Sequence, residues 1–303
     1  MIALKEEYDL DEIEGYLLEN VTVLFIGPDI DERSETVKKR LGTITKIVSL
    51  EYNYDNSNII IDVKNDMVHR QCKGEQLPDF LSSLKRYDVS FREILIDISS
   101  LQGPCIIMLL NTLMCDVRCR PAKLFTAYVK PNEYILENDK YRFSTAFGSA
   151  ASIPKMVARA RKRETLIPFL GFEGARLSNI IGDSQYEAVY PVIGFPSDDP
   201  KWQFETMRYC MDAIIEQKAS YNIRKCNAGS IFDAYYLMEE ISAKLDTGIV
   251  VSPLGTRAHM VAATLFAIKN SSRCRIIYDF ARLDNSKTRG IRNIRISHLS
   301  MYL

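Results

Sequence analysis

The segment Ser252-Pro-Leu-Gly-Thr-Arg257 gathers residue types suited to holding a phosphate. Gly255 lets a ligand approach the backbone, Thr256 caps a helix or binds an oxygen, and Arg257 brings a fork of donors matched to phosphate. A purely structural loop with a capping threonine is the plainer alternative. Asp97-Ile-Ser-Ser-Leu-Gln-Gly103 is a second such loop, offering Ser99, Ser100 and Gln102 as neutral hydrogen-bonding groups and no arginine. Gly27-Pro-Asp-Ile-Asp-Glu-Arg33 and Gly171-Phe-Glu-Gly-Ala-Arg176 bring acids and arginines together. Acids such as Glu173 would bind ribose hydroxyls or pair with their own arginines, Arg176 among them, and the sequence leaves both open.

No nucleotide motif is complete. The pattern G-x-x-x-x-G-K-[ST] is absent, and Gly171-x-x-Gly174 is too short for the dinucleotide fingerprint. There is no G-x-S-x-G and no H-E-x-x-H. His69, His259 and His298 are far apart, and only His259, in the first turn after the Gly-Thr-Arg loop, adjoins a candidate site. A solvated or helix-packed histidine is the plainer reading of it. The seven cysteines, at 72, 105, 115, 119, 210, 226 and 274, include one close pair, Cys115-x3-Cys119, with no histidine to complete a zinc site. Reduced thiols, no metal and no cofactor are expected.

These loops need strands and helices to hold them. In the first half, 21–27, 44–52, 92–99 and 124–129 read as strands, 58–63 extends the second or forms another, and 34–41 and 105–114 read as helices. In the second half, strands are expected at 164–171, 188–195 and 274–280, and 247–270 reads as strand, tight loop and helix. Further helices are expected at 175–181, 202–218 and 231–244. Alternation of this kind predicts an α/β fold of two Rossmann-like units with mostly parallel sheets covered on both faces. In such sheets ligands sit beyond the carboxyl ends of the strands, where all four loops fall. Between the halves lies a segment with Pro, Gly and Ser clusters that ends in a basic run, so the units are expected at 1–150 and 151–303.

FIGPDIDERS (25–34) lies beside FLGFEGARLS (169–178) with one gap. ILIDISSLQGP lies beside GIVVSPLGTR, laying Ser99 on Ser252 and Leu101 on Leu254, and LFTAYV lies beside RIIYDF. Three matches in one order predict internal duplication.

Lys+Arg and Asp+Glu both total 39, so the formal net charge is zero and general coating of nucleic acid is disfavoured. Two basic stretches remain: Lys155, Arg159, Arg161, Lys162 and Arg163, and the tail Lys287, Arg289, Arg292 and Arg295. Nucleic acid contact through them is possible, but solvated faces are the favoured reading. Hydrophobic residues make up 47% and charged residues 26%, as in a globular chain. The acidic start lacks the features of a signal peptide and no window is apolar enough for a membrane span, so a cytoplasmic protein without membrane contact is expected.

IVVSPLGTRAHMVAATLFAIKN, with its strand, Gly-Thr-Arg loop and apolar helix, and the early glycine loop FLGFEG resemble the CRISPR-associated Rossmann-fold (CARF) domain. The likeness covers about 164–280 well and 21–129 weakly. It departs in Ser-Pro-Leu before Gly-Thr, in Arg257 where lysine is commoner, and in Ser-Leu-Gln-Gly in the first half. The resemblance implies paired loops binding a cyclic oligonucleotide messenger, and the related SAVED domains fuse two such units in one chain. The expected function is a ligand sensor in a prokaryotic antiviral defence or regulatory system. Its phosphorylated, nucleotide-like ligand would lie between the halves. Ser252, Gly255, Thr256 and Arg257 would act from one side, and Ser99, Ser100 and Gln102 from the other. Gly171, Glu173 and Arg176 would form the rim. A protein effector is the possible partner. One alternative is a nucleotide-processing enzyme, a ring-opening phosphodiesterase or a glycosidase. In it Asp29, Asp31 or Glu173 would serve as acid or base and His259 or Arg257 would stabilise charge. The other is an interaction subunit that has lost its ligand.

Overall fold

The computed structural model describes residues 6–28, 32–44, 46–64, 68–135, 143–156, 163–182, 184–283 and 288–303. The chain forms two compact units, one of Met1–Ile135 with Asn285–Leu303 and one of Leu136–Asp284. The first opens with β1 (Glu7–Asp9), α1 (Leu10–Asn20), β2 (Val23–Ile26), α2 (Glu32–Leu41) and β3 (Lys46–Asn53). The hairpin β4 (Asn58–Val63) and β5 (Val68–Lys73) follows, then α3 (Leu77–Ser83), β6 (Glu93–Asp97), α4 (Gly103–Cys115) and β7 (Lys123–Tyr134). The second unit contains β8 (Ser144–Ala146), β9 (Ala151–Ser152), β10 (Glu164–Phe169), α5 (Gly174–Ile181), β11 (Ala188–Val189) and β12 (Val192–Gly194). It continues through α6 (Trp202–Glu216), β13 (Arg224–Cys226), α7 (Ile231–Ala243), β14 (Gly248–Pro253), α8 (Arg257–Lys269), β15 (Cys274–Tyr278) and β16 (Arg282–Leu283). The last strand, β17 (Thr288–His298), belongs to the first unit again.

Both units are α/β. The second has the sheet order β13-β12-β10-β14-β15-β9, parallel except for β9, with β11 also pairing β10. The first has the order β1-β17-β7-β6-β2-β3-β4-β5. Its centre, β7-β6-β2-β3, is parallel, and its flanks are antiparallel, which makes it more mixed than its sequence suggested. β2, β6 and β14 are buried at every position, as parallel strands covered on both faces must be. α4 and α8 are buried nearly all round, which explains why neither shows a polar stripe. By contrast α2 buries only Ser34, Val37 and Leu41, one face at helical spacing. The strand expected over 188–195 is split into β11 and β12 around Tyr190 and Pro191, because proline carries no amide for the ladder.

The two centres share one order. Each places its second strand beside its first (β3 by β2, β12 by β10), the third on the other side (β6, β14), then the fourth (β7, β15) and an antiparallel neighbour (β17, β9). The sequence alignment does not carry over residue by residue. Ser252 lies inside β14 opposite Pro168, whereas Ser99 lies beyond the end of β6, so the two serines hold different sheet positions.

The expected boundary near 150 and the assignment of the tail to the second half are corrected by β17. This strand pairs antiparallel with β7 from Thr288↔Tyr134 to His298↔Phe125, and with β1 on its other side. Ile294 and Ile296 pack with Leu95, Phe125, Ala127 and Val129. The tail is therefore an inner strand, and its arginines are used locally: Arg289 pairs with Glu133 at 3.3 Å and Arg295 with Glu7 at 3.2 Å. Lys287, like Arg159, Arg161 and Lys162, lies outside the described residues. Deleting 285–303 is expected to strip amide-exchange protection from β1, β6 and β7 while β10, β14 and β15 keep theirs. Hydrogen-exchange mass spectrometry reads this directly, and equal loss in both sets would refute the placement.

Candidate functional site

In the second unit the chain leaves β10 toward β12 and β13, then returns to β14 and β15 on the other side. The connections after β10 and β14 therefore diverge, and in open α/β sheets such a switch of direction is where ligands bind, beyond the carboxyl ends of the strands. Gly171 and the Leu254–Thr256 turn lie there. A Cβ on Gly171 would sit 2.7 Å from the Leu254 carbonyl oxygen, so only glycine lets the two turns meet.

Thr256 is the N-cap of α8. Its Oγ1 accepts from the His259 amide at 3.2 Å and donates to the Ala228 carbonyl at 2.7 Å, which ties this turn to the loop after β13. A helix leaves its first amides without intrahelical acceptors, and the capping hydroxyl satisfies one of them. The first turn carries no acid, and its first residue is Arg257. Arg257 is half-buried, and among the described residues none forms an ion pair or hydrogen bond with its side chain. A cation at the positive end of a helix is unfavourable by about 0.3–1 kcal/mol. An anion bound there would reverse that sign.

His259 is fully buried beneath the turn. Its Nε2 lies 3.1 Å from the Asn227 carbonyl, and its ring packs on Phe169 at 4.9 Å between centroids. Burial pushes its pKa down to about 4, so the ring is neutral at pH 7, with Nε2 donating and Nδ1 left as an acceptor. That Nδ1 has no partner, and neither does the buried Ser252 Oγ. Cys226 Sγ lies 3.5 Å from Nε2, but burial pushes the thiol up to about 12, so the two do not form a thiolate–imidazolium pair.

The expected rim is built differently. Arg176 is buried and grips Asp279 with two bonds, Nε to Oδ2 at 2.7 Å and Nη2 to Oδ1 at 2.8 Å, with Glu173 3.6 Å away. Glu173 Oε1 accepts from the Ser144 hydroxyl at 2.6 Å, the Ser144 amide at 3.0 Å and the Phe143 amide at 3.3 Å. Both side chains clamp this unit together. Asp279, the first residue after β15, supplies the buried acid, and nothing in the sequence marks it as the partner of Arg176 in particular.

The corresponding crevice of the first unit lies between β2 and β6. A Cβ on Gly27 would fall 2.1 Å from the Ser100 carbonyl oxygen, and the Gly27 amide donates to Ser100 Oγ at 2.8 Å. Ser99 Oγ accepts from the Val129 amide at 2.7 Å, and Gln102 Oε1 accepts from the Tyr52 amide. The neutral groups expected to face a ligand are thus engaged with backbone. Beneath them Asp97 is fully buried, its Oδ1 accepting from the Ser99 amide at 2.9 Å, its Oδ2 without a partner. Burial raises its pKa to about 6. Asp29 and Asp31 lie outside the described residues.

The structure thus brings Gly171, Ser252, Gly255, Thr256 and Arg257 together in the second unit, while Ser99, Ser100 and Gln102 belong to the first. Among the described residues no group of three His, Cys, Asp or Glu is placed to hold a metal, and no helix is long and apolar enough to cross a membrane. No protein-family model matches this chain, and no curated protein matches it.

Arg176→Ala is expected to cost about 3–5 kcal/mol in urea unfolding by leaving Asp279 buried and unpaired, and pairing Arg176→Met with Asp279→Leu should restore much of it. A double variant no more stable than the single one would contradict this account. Asp97 binds its proton more tightly folded than unfolded, so its contribution declines as pH rises from about 4 to about 6. Relative to Asp97→Asn, the native protein should lose on the order of 3 kcal/mol across that window. A pH-independent difference would contradict the burial of the carboxylate.

Proposed function

We propose that this protein is a ligand sensor whose second unit holds a phosphorylated, nucleotide-like ligand at the crevice between β10 and β14. The observation that carries this reading is Arg257, a half-buried cation at the amino end of α8 with no described partner, beside a turn whose close approach to its neighbour only glycine permits. An anion there would be held by free amides, by the helix dipole and by the guanidinium fork. Arg176 serves as an internal comparison, since its guanidinium is already satisfied by Asp279. The strand order common to the two units supports duplication as their origin. The resemblance to CARF domains supports cyclic oligonucleotides as the first ligands to test, a prokaryotic antiviral or regulatory setting, a cytoplasmic location, and an effector protein as the receiver of the signal.

A panel of cyclic and linear oligonucleotides should include one that raises the melting temperature without being consumed. At 100 times its dissociation constant the gain should be about 2.7 kcal/mol. Arg257→Ala should weaken that ligand about 10- to 150-fold, the equivalent of about 1.5–3 kcal/mol for a charged hydrogen bond. Arg257→Lys should be intermediate, keeping charge and losing the fork. The ligand-free stability of Arg257→Ala should stay within about 0.5 kcal/mol of the native protein or rise slightly. A drop of many degrees in the ligand-free melting temperature would make Arg257 a structural residue and remove the main support for this function.

A further inference from the structure

α6, the helix between β12 and β13, carries an apolar stripe on the side away from its own core. Its inner face is built from Trp202, Thr206, Cys210, Ala213 and Ile214, all buried. At about 3.6 residues per turn, the opposite face falls on Phe204, Arg208, Met211 and Ile215. Phe204 is 67% exposed and Ile215 56%, Arg208 is exposed and Met211 is half-buried. A single apolar side chain at a surface is ordinary. These four positions, however, are separated by four, three and four residues, the alternation that joins two helices along a seam. The stripe runs for about 16 Å along the helix axis.

The inner side of α6 is held firmly. An added Cβ on Gly174 would run into the Tyr209 carbonyl oxygen, so the start of α5 rests on the middle of α6. Cys210 Sγ lies 3.7 Å from the Gly171 carbonyl. The outward stripe therefore sits on a helix whose rotation is fixed, and it can receive a partner without rearranging. Charge identifies that partner. Lys201 and Arg208, both exposed, lie toward the amino end, and Asp212 and Glu216, both exposed, lie toward the carboxyl end. Glu205, half-buried, is 3.7 Å from Arg208 on the same helix. A second copy laid antiparallel on the stripe sets Phe204 against Ile215 and Arg208 against Asp212, each twice about a twofold axis. It also turns Lys201 toward Glu216. The Arg208 stem covers Met211 of the second copy while its guanidinium reaches the acid. A parallel second copy would set Arg208 on Arg208 and Asp212 on Asp212, and like charges repel.

We propose that the outer face of α6 is an interface for a second copy of this chain, docked antiparallel to form a twofold-symmetric dimer. This inference stands apart from the phosphate reading of Arg257. One helix face of this length is small beside the roughly 800 Å² per partner of a standard interface, so the dimer should form and dissociate with concentration.

Sedimentation velocity across a range of protein concentrations tests this. The native chain should show a reversible monomer–dimer equilibrium. Phe204→Ala should raise the dissociation constant about 30-fold or more, as loss of an aromatic anchor does. Arg208→Asp and Asp212→Arg should each be monomeric where the native protein is dimeric, because each copy then meets like charge in the other. An equimolar mixture of these two variants should dimerise again, since every acid of one then faces a base of the other. Dimers in the mixture also establish that both variants are folded, and Phe204→Ala probes the same face with no change of charge. A native chain that stays monomeric at every concentration overturns the proposal. So does a dimer indifferent to Phe204→Ala, or a mixture that stays monomeric.

Discussion

Two backbone turns touch in each unit because a glycine lacks a side chain. In the first unit Gly27 lies against the Ser100 carbonyl, and in the second Gly171 lies against that of Leu254. Each contact joins the turn after the first strand to the turn after the third, across the place where the sheet changes direction. Close-packed interiors do not yield to an added methyl at such distances without moving backbone. The helices that follow these turns, α2 and α4 in one unit and α5 and α8 in the other, therefore begin from fixed positions. Everything a crevice at this edge can do depends on how near those starts are allowed to come.

Given that shared constraint, the units use their turns in opposite ways. The first closes its crevice with its own side chains. Ser100 takes the Gly27 amide, Ser99 takes that of Val129 and Gln102 that of Tyr52. A buried polar group is tolerated when it is hydrogen-bonded, and these three supply acceptors to backbone amides that would otherwise lack them. The second unit leaves its turn less complete. Thr256 caps α8, yet Ser252 Oγ and His259 Nδ1 are buried without partners, and no described residue pairs with the Arg257 side chain. Unmet polar atoms are costly, commonly about 1–3 kcal/mol each, and the first unit keeps one of its own in Asp97 Oδ2.

Much of this was legible in the chain because long apolar runs ending in glycine admit few interpretations. The strands β2, β6, β10 and β14 and the helices α4 and α8 fall where periodicity and turn residues place them. β17 was hidden because Ile294 and Ile296 alternate with arginines, and a strand added antiparallel from the far end of the chain leaves no local signature. Which of Arg176 and Arg257 pairs internally was not legible. Both follow a glycine turn at the start of a helix, and only the position of Asp279 makes one structural and frees the other. Nor could spacing show that Ser99 and Ser252 differ in register. Their alignment rested on similar apolar neighbours, and a parallel ladder fixes register through pairing that sequence does not display. His259 did turn out to be helix-packed, but what bears on the site is its unpartnered nitrogen, which depends on Asn227 far away in sequence.

The protonation states around the crevice bear on whether the edge binds or reacts. General acid–base catalysis needs a group that can exchange a proton near neutral pH and reach its substrate. His259 is held neutral by burial well below that range, and its Nε2 proton is given to a backbone carbonyl. Glu173 has one oxygen occupied by three donors. Each would have to be released from its present partners before it could move a proton. Binding an anion, as proposed, would require no such release, because the amides that open α8 and the Arg257 guanidinium are already in place. A fixed set of donors around a neutral imidazole keeps its charge constant across physiological pH.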